Sequence, residues 1–193
     1  MLLPIISYGH SVLRQECKEV DTGYPDLNAI IDSMWETMYP ADGTGLAAPQ
    51  VNQLLKIFIV DTKESYDRME PEDREALFDG DEGIKETFIN AKIVEYSEEV
   101  WVEHEGCLSI PAISEEVERP WGIKIEYYDR DFNKQEKEFR GITARVIQHE
   151  FDHTRGKLYI DYVNPIRRKL LGRKLNKITS GQVSPKYKMK FAK

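Results

Sequence analysis

The side chains of this 193-residue chain best arranged for chemistry are two histidines four residues apart, the first followed by a glutamate: His149-Glu150-Phe151-Asp152-His153. Four residues is just over one helical turn, so both imidazoles leave one face about a turn apart and can share a metal ion. Glu150 then stands beside the ion without having to ligate it, which suits a base acting on water. The plain alternative is two surface histidines on an amphipathic helix, which would need this spacing to arise by accident.

A catalytic metal site generally takes three protein ligands and keeps a further position open, so the third ligand separates the candidate chemistries. The extended pattern HExxHxxGxxH of the metzincins is met at Gly156 but fails at Tyr159, and no glutamate follows Glu150 to serve a thermolysin-like site. Asp161, in the apolar run from Leu158 to Val163, is a weak candidate. Cys107 is stronger. It lies in Glu105-Gly106-Cys107-Leu108-Ser109 at the end of a β run, where glycine permits close backbone approach and a thiolate is a good ligand for Fe(II) or Zn(II). An inert buried cysteine is the alternative. Cys17 lies in a polar stretch without such company, and two thiols make a poor disulfide framework.

These residues need elements to hold them. Leu27, Ile30, Ile31, Met34, Trp35 and Met38 recur at helical spacing over residues 26–39, which predicts an N-terminal helix with one buried stripe. A Gly-rich turn at Gly43 to Gly45 precedes a buried strand, Lys56 to Val60. Residues 61–86 hold eleven acids and four bases and read as an acidic, solvated surface excursion, with Pro71 starting a short helix. Short β runs at 88–94, 100–104 and 123–127 predict antiparallel strands, with a turn at Asp131 to Asn133. Helical spacing returns over 142–154, with Thr143 as the expected N-cap, and a last helix is expected from Asn164 to Lys177, burying Ile166, Leu170, Leu171 and Leu175. The residues from Gly181 to Lys193 run past it and are expected to be disordered. The fold class is α+β, with antiparallel β-sheets packed around a central metal-binding helix flanked by an N-terminal and a C-terminal helix. With no repeat or long linker, residues 1–193 are expected to form a single catalytic domain.

Charge is unevenly spread. Residues 165–193 carry ten Lys or Arg and no acid, whereas residues 1–164 hold seventeen bases against all 34 acids. Any nucleic-acid contact therefore belongs to the basic C-terminal helix and tail. No window resembles a membrane span, and the N-terminus lacks the flank and length of a signal peptide, so the expectation is a cytoplasmic protein.

Three motifs in order, Gly43-Thr44-Gly45-Leu46-Ala47-Ala48-Pro49-Gln50, Glu105-Gly106-Cys107-Leu108-Ser109 and Gln148-His149-Glu150-Phe151-Asp152-His153, resemble those of the peptide deformylases. The resemblance implies hydrolytic removal of the formyl group from the N-terminal formylmethionine of nascent peptides. It makes Cys107, His149 and His153 the ligands of one divalent ion, Fe(II) natively, with Zn(II), Ni(II) or Co(II) as substitutes. Glu150 becomes base and then acid, while the Gln50 amide and Leu108 N–H stabilise the oxyanion. By the same resemblance Gly45 offers its backbone to an extended peptide, and Leu46, Gly106, Ile142 and Val146 surround the substrate. Its missing side chain would leave that peptide unobstructed. Glu105 is expected to pair with Arg119 and stiffen the cysteine loop. The long 61–86 segment and residues 110–118 depart from the family pattern and carry no transferred role. A monomer is expected, with a possible ribosome contact through the basic tail. The competing readings are a zinc-type metallopeptidase and a non-catalytic, metal-stabilised ribosome-binding module.

Overall fold

The computed structural model describes residues 1–192. A two-residue strand, β1 (Ile5–Ile6), precedes helix α1 (Leu27–Met38), which buries Leu27, Ile31, Met34 and Met38 and leaves Ile30 and Trp35 half-buried at the edge of the stripe. The chain then enters a sheet through β2 (Gly45–Ala47) and β3 (Ile57–Asp61). Helices α2 (Lys63–Arg68) and α3 (Pro71–Phe78) separate β3 from β4 (Lys85–Tyr96). β5 (Val100–Cys107) and β6 (Ile110–Pro120) form a hairpin of their own, after which β7 (Gly122–Tyr128) and β8 (Lys134–Arg140) return to the sheet. The five-stranded sheet has the order β2-β3-β4-β7-β8 and is antiparallel throughout, which leaves β2 at an edge.

Every residue of β3 is buried because both faces of the sheet are covered. Strand alternation sends Ile57 and Ile59 into the cluster built on α1, and Phe58 and Val60 into the cluster that holds Ala144 and Ile147 of helix α4 (Gly141–Thr154). The metal-motif helix is thus central: α4 packs against β2 and β3 and is buried on almost every side.

Four expectations are corrected. α4 starts two residues before Thr143, which is not its N-cap. Arg140 occupies that position without a side-chain cap, and the Thr143 hydroxyl is engaged with the Thr62 hydroxyl at 3.1 Å. A glycine is needed at the start, because Gly141 has φ +53° and a Cβ there would lie 2.0 Å from the Leu77 carbonyl oxygen. That contact also revises the acidic excursion: most of its charged residues reach solvent, but Asp61 is buried, Thr62 and Phe78 are fully buried, and Tyr66 meets Phe78 edge-on at 5.1 Å. The segment is pinned at both ends to the start of α4.

The last predicted helix is two. α5 (Pro165–Leu170), capped by Asn164, breaks at Leu171 before α6 (Gly172–Thr179). The break turns the apolar stripe, so Leu171 and Leu175 are buried while Ile166 and Leu170 stand 75% and 70% exposed. Glycine at the second helix's start has poor helix propensity and permits the interruption. Finally, among the described residues the tail is not a loose end; Lys193 lies outside them. Met189–Lys190 forms β9, which pairs in parallel with β1, a long-range partnership with no local sequence signal.

Candidate active site

The end of the β5–β6 hairpin meets the inner face of α4. Cys107 is the last residue of β5, and its Sγ lies 3.3 Å from His153 Nε2. One ligand atom each from Cys107, His149 and His153 lies within 4.8 Å of the other two. Nitrogen and sulfur ligands bound to one ion in tetrahedral geometry would stand roughly 3.3–3.7 Å apart, so the cluster fits a metal with little adjustment. The donor set, one thiolate and two imidazoles, suits Fe(II) or Zn(II). Cys17, by contrast, is buried without ligating company, and burial pushes its thiol up to about 11. Asp161 is also elsewhere, held by Arg14 at 2.5 Å and accepting from the Leu158 N–H.

Behind the ligands lies a buried ionic network. Arg119 donates to both oxygens of Glu105, at 2.5 and 3.0 Å, and reaches Asp152 at 2.9 Å, so the pair with Glu105 is internal rather than a surface contact. Arg145 adds a bond to Glu105 at 2.7 Å, and His149 Nδ1 stands 2.9 Å from its other oxygen. That last bond turns Nε2 of His149 toward the ligand cluster, as a carboxylate behind a metal-binding histidine commonly does. Burial works against an ionised Glu105, yet the bonds from His149 and Arg119 outweigh it and hold the carboxyl far below its usual range.

Glu150 is buried, and its Oε2 has no hydrogen-bond partner, leaving an unsatisfied acceptor beside the ligands. Burial pushes its carboxyl up to about 7 against the pull of His149. A Cβ on Gly45 would lie 2.6 Å from Glu150 Oε1, so the glycine is needed first of all to make room for this acid. Gln50 has its Oε1 locked by the Ala47 N–H at 2.7 Å, which turns Nε2 toward Ser109 Oγ at 3.3 Å and Cys107 Sγ at 3.5 Å.

A cleft of about 1130 Å³ opens beside these groups, lined in part by Gly45, Gln50, Gly106, Leu108, Ile142 and Val146. Leu46 is the exception among the expected substrate residues. Its side chain is fully buried among the α1 residues, because strand alternation points it away from the face that Gly45 presents. Several cleft and support residues were missed: Ser65 and Met69 from the acidic excursion, Ser184 to Tyr187 from the tail, and Arg145, Asp152 and Ser109 around the ligands. Arg145 could have been found, since it precedes His149 by one helical turn. Asp152 and Ser109 adjoin the ligands in sequence but have distant partners, Arg119 and Gln50, and the remaining cleft residues are brought in by long-range contacts.

The chain is similar to known proteins along most of its length. The family model described as polypeptide deformylase matches residues 2–169. A peptide deformylase of Flavobacterium psychrophilum is 45% identical over 193 residues, covering 99% of this chain and 97% of its own. Among solved structures, the peptide deformylase of Ehrlichia chaffeensis superposes with a TM-score of 0.81 at 30% identity over 94% of this chain and 99% of that one. The Plasmodium falciparum enzyme gives 0.78 at 35% identity over 92% and 95%. With the match extending over most of its length, the chain belongs to the polypeptide deformylase family.

Proposed function

We propose that this chain hydrolyses the formyl amide at the N-terminal methionine of newly made peptides and releases formate. The observation that carries the reading is the convergence of Cys107, His149 and His153 near Glu150, whose Oε2 is unpartnered, at a cleft lined by Cys107, His149 and Glu150. Cys107, His149 and His153 would hold a divalent ion, Fe(II) by family resemblance with Zn(II), Ni(II) or Co(II) as substitutes, which would supply Lewis acidity at the site. Glu150 takes the proton as the water oxygen bonds to the formyl carbon, and returns it to the methionine nitrogen as the C–N bond breaks. A carboxyl raised by burial suits both transfers near neutrality, and a nearby cation draws it back toward the ionised form.

Gln50 Nε2 and the Leu108 N–H are the donors for the developing oxyanion, and losing one such donor typically costs about 2.7–4 kcal/mol of activation free energy. Gly45, on the edge strand β2, offers unpaired backbone groups to an extended peptide. Gly106, Ile142 and Val146 border the cleft where the methionine side chain would lie. Three protein ligands leave a position for substrate, which argues against a closed structural site.

The protein acts as a single-domain cytoplasmic monomer in this reading. Among the described residues no helix is long and apolar enough to cross a membrane. Arg167 and Arg168 are engaged by Glu115 and Asp161, while Lys169, Arg173, Lys174 and Lys177 remain exposed. Those four suit contact with ribosomal RNA phosphates, a contact that salt should weaken steeply.

The test is anaerobic assay of the Fe(II)-loaded protein on formyl-Met-Ala-Ser, following formate and metal per chain. Glu150→Ala should keep the metal and lose roughly 10²–10⁴-fold in kcat, whereas Cys107→Ala should lose the metal itself. A fully active Glu150→Ala would refute the assigned base, and internal cleavage of an acetyl-blocked peptide would point to the peptidase instead.

A further inference from the structure

The turn that carries the Leu108 N–H is poorly specified by its own residues. Cys107 pairs with Ile110, so Leu108 and Ser109 are the two residues of a tight hairpin. The favoured two-residue hairpin turns need positive φ, and neither Leu108 nor Ser109 has it. The ladder is irregular just beyond: Gly106 already pairs with Ser114, and the intervening Ala112 has φ +60°. Local pairing therefore does little to fix the orientation of this loop.

The two ends of the chain hold it instead. The Tyr187 hydroxyl donates to the Leu108 carbonyl at 2.7 Å, and the Tyr8 N–H donates to the next carbonyl, that of Ser109, at 2.8 Å. Tyr8 follows β1 and Tyr187 precedes β9, and these strands pair through Ile5 with Met189 and Ile6 with Lys190. Ile5 N–H to Lys188 O and Ser7 N–H to Lys190 O, both 2.9 Å, complete the tie. Burial pushes the Tyr187 phenol up to about 12, so it remains a donor at neutral pH. Two consecutive peptide planes after the Leu108 N–H are thereby anchored, and the N–H cannot swing far without breaking one anchor.

We propose that Tyr187, braced by the β1–β9 pair, is a positioning residue that sets the Leu108 N–H for the oxyanion formed during deformylation. The inference rests on the reading of Leu108 as an oxyanion donor. Its energetic logic is preorganisation: a donor already aimed at the developing charge needs no reorientation during reaction. The brace also explains why the tail is folded back along the cleft, where Ser184 to Tyr187 form part of the wall.

Tyr187→Phe keeps the ring and removes the hydroxyl. We expect kcat on formyl-Met-Ala-Ser to fall ~10-fold, the size of one lost hydrogen bond, with KM within about twofold. Metal content should be unchanged, the melting temperature should fall by no more than the ~2–4 °C that one hydrogen bond is worth in a chain of this size, and amide hydrogen exchange in residues 106–110 should quicken. An unchanged kcat would overturn the proposal, as would a fall in kcat matched by lost metal or by a melting temperature lowered well beyond that. The exchange measurement does not depend on turnover. Were the wild-type protein to bind metal and release no formate, the deformylase reading would fall while exchange still decided the brace.

Discussion

Helices α4 and α6 both begin on a glycine, and the two glycines sit in opposite circumstances. At Gly141 a Cβ would strike the Leu77 carbonyl, and φ is positive; at Gly172 nothing lies within 4 Å. The helices differ in the same sense. Eleven of the fourteen residues of α4 are buried, against two of the fourteen in α5 and α6 together. A helix enclosed by protein must match most of its polar groups internally: Glu105, Arg119 and Thr62 serve His149, Asp152 and Thr143, while Glu150 Oε2 is left without a partner. A helix with one side in water is free to break, shift its apolar stripe and leave leucine exposed. The lesson is that rigidity is concentrated where the metal ligands and base must keep their geometry.

The largest expected contrast concerns the network behind α4. Arg119→Leu leaves Glu105 and Asp152 short of their shared cation, and should cost about 3–5 kcal/mol in urea unfolding. A loss no larger than that of a surface pair would remove the distinction between the two regions. On the C-terminal side, Leu175→Ala should cost about 2–5 kcal/mol because the side chain is buried. Leu170→Ala, five residues earlier, should stay within about 0.5 kcal/mol. Equal effects would mean that the exposed face is covered in solution.

The glycines sharpen the comparison directly. Gly141→Ala should destabilise by about 1–3 kcal/mol through its left-handed backbone and the Leu77 contact. Gly172→Ala should instead stabilise by about 0.4–1 kcal/mol, read from the same thermal or urea curves. The smallest effect belongs to Asp161, which joins Arg14 to Arg168 at the foot of α5. Burial opposes its ionisation, but the Arg14 bond prevails and lowers its pKa below the ordinary 3.8. A depressed pKa gives stability that is present above 3.8 and lost as pH falls through the folded value. The stability gap between wild type and Asp161→Asn should therefore hold at neutral pH, at about 1 kcal/mol or less, and narrow below pH 3.8. A gap that widens on acidification would reverse the assigned sign.

Much of the ligand geometry could be read without coordinates because it is local. His149 and His153 share a face through helical periodicity alone, and α1 announces itself through six apolar residues at the same spacing. Cys107 was reachable by eliminating other ligands, and Glu105 with Arg119 through family resemblance. The failures have local causes too. Thr143 has the composition of a cap, but Gly141 could start the helix two residues earlier and the Thr143 hydroxyl found Thr62. Ile166 and Leu170 have the period of a buried stripe, yet periodicity cannot register a break at Leu171 that rotates the stripe away from the core.

Other features depend on residues far apart in the chain, where one sequence has no short-range code. The burial of Glu150 over Gly45, the convergence of Arg119, Arg145 and Asp152, and the return of Tyr187 to Leu108 are of this kind. The sequence by itself put two metal-binding imidazoles and a neighbouring carboxylate on one helix, His149, His153 and Glu150, since spacing of 3.6 residues per turn settles that before any packing. Only the tertiary structure decided how those groups are desolvated, braced and opened to substrate. Desolvation and long-range hydrogen bonds exist only once distant segments have closed around the site.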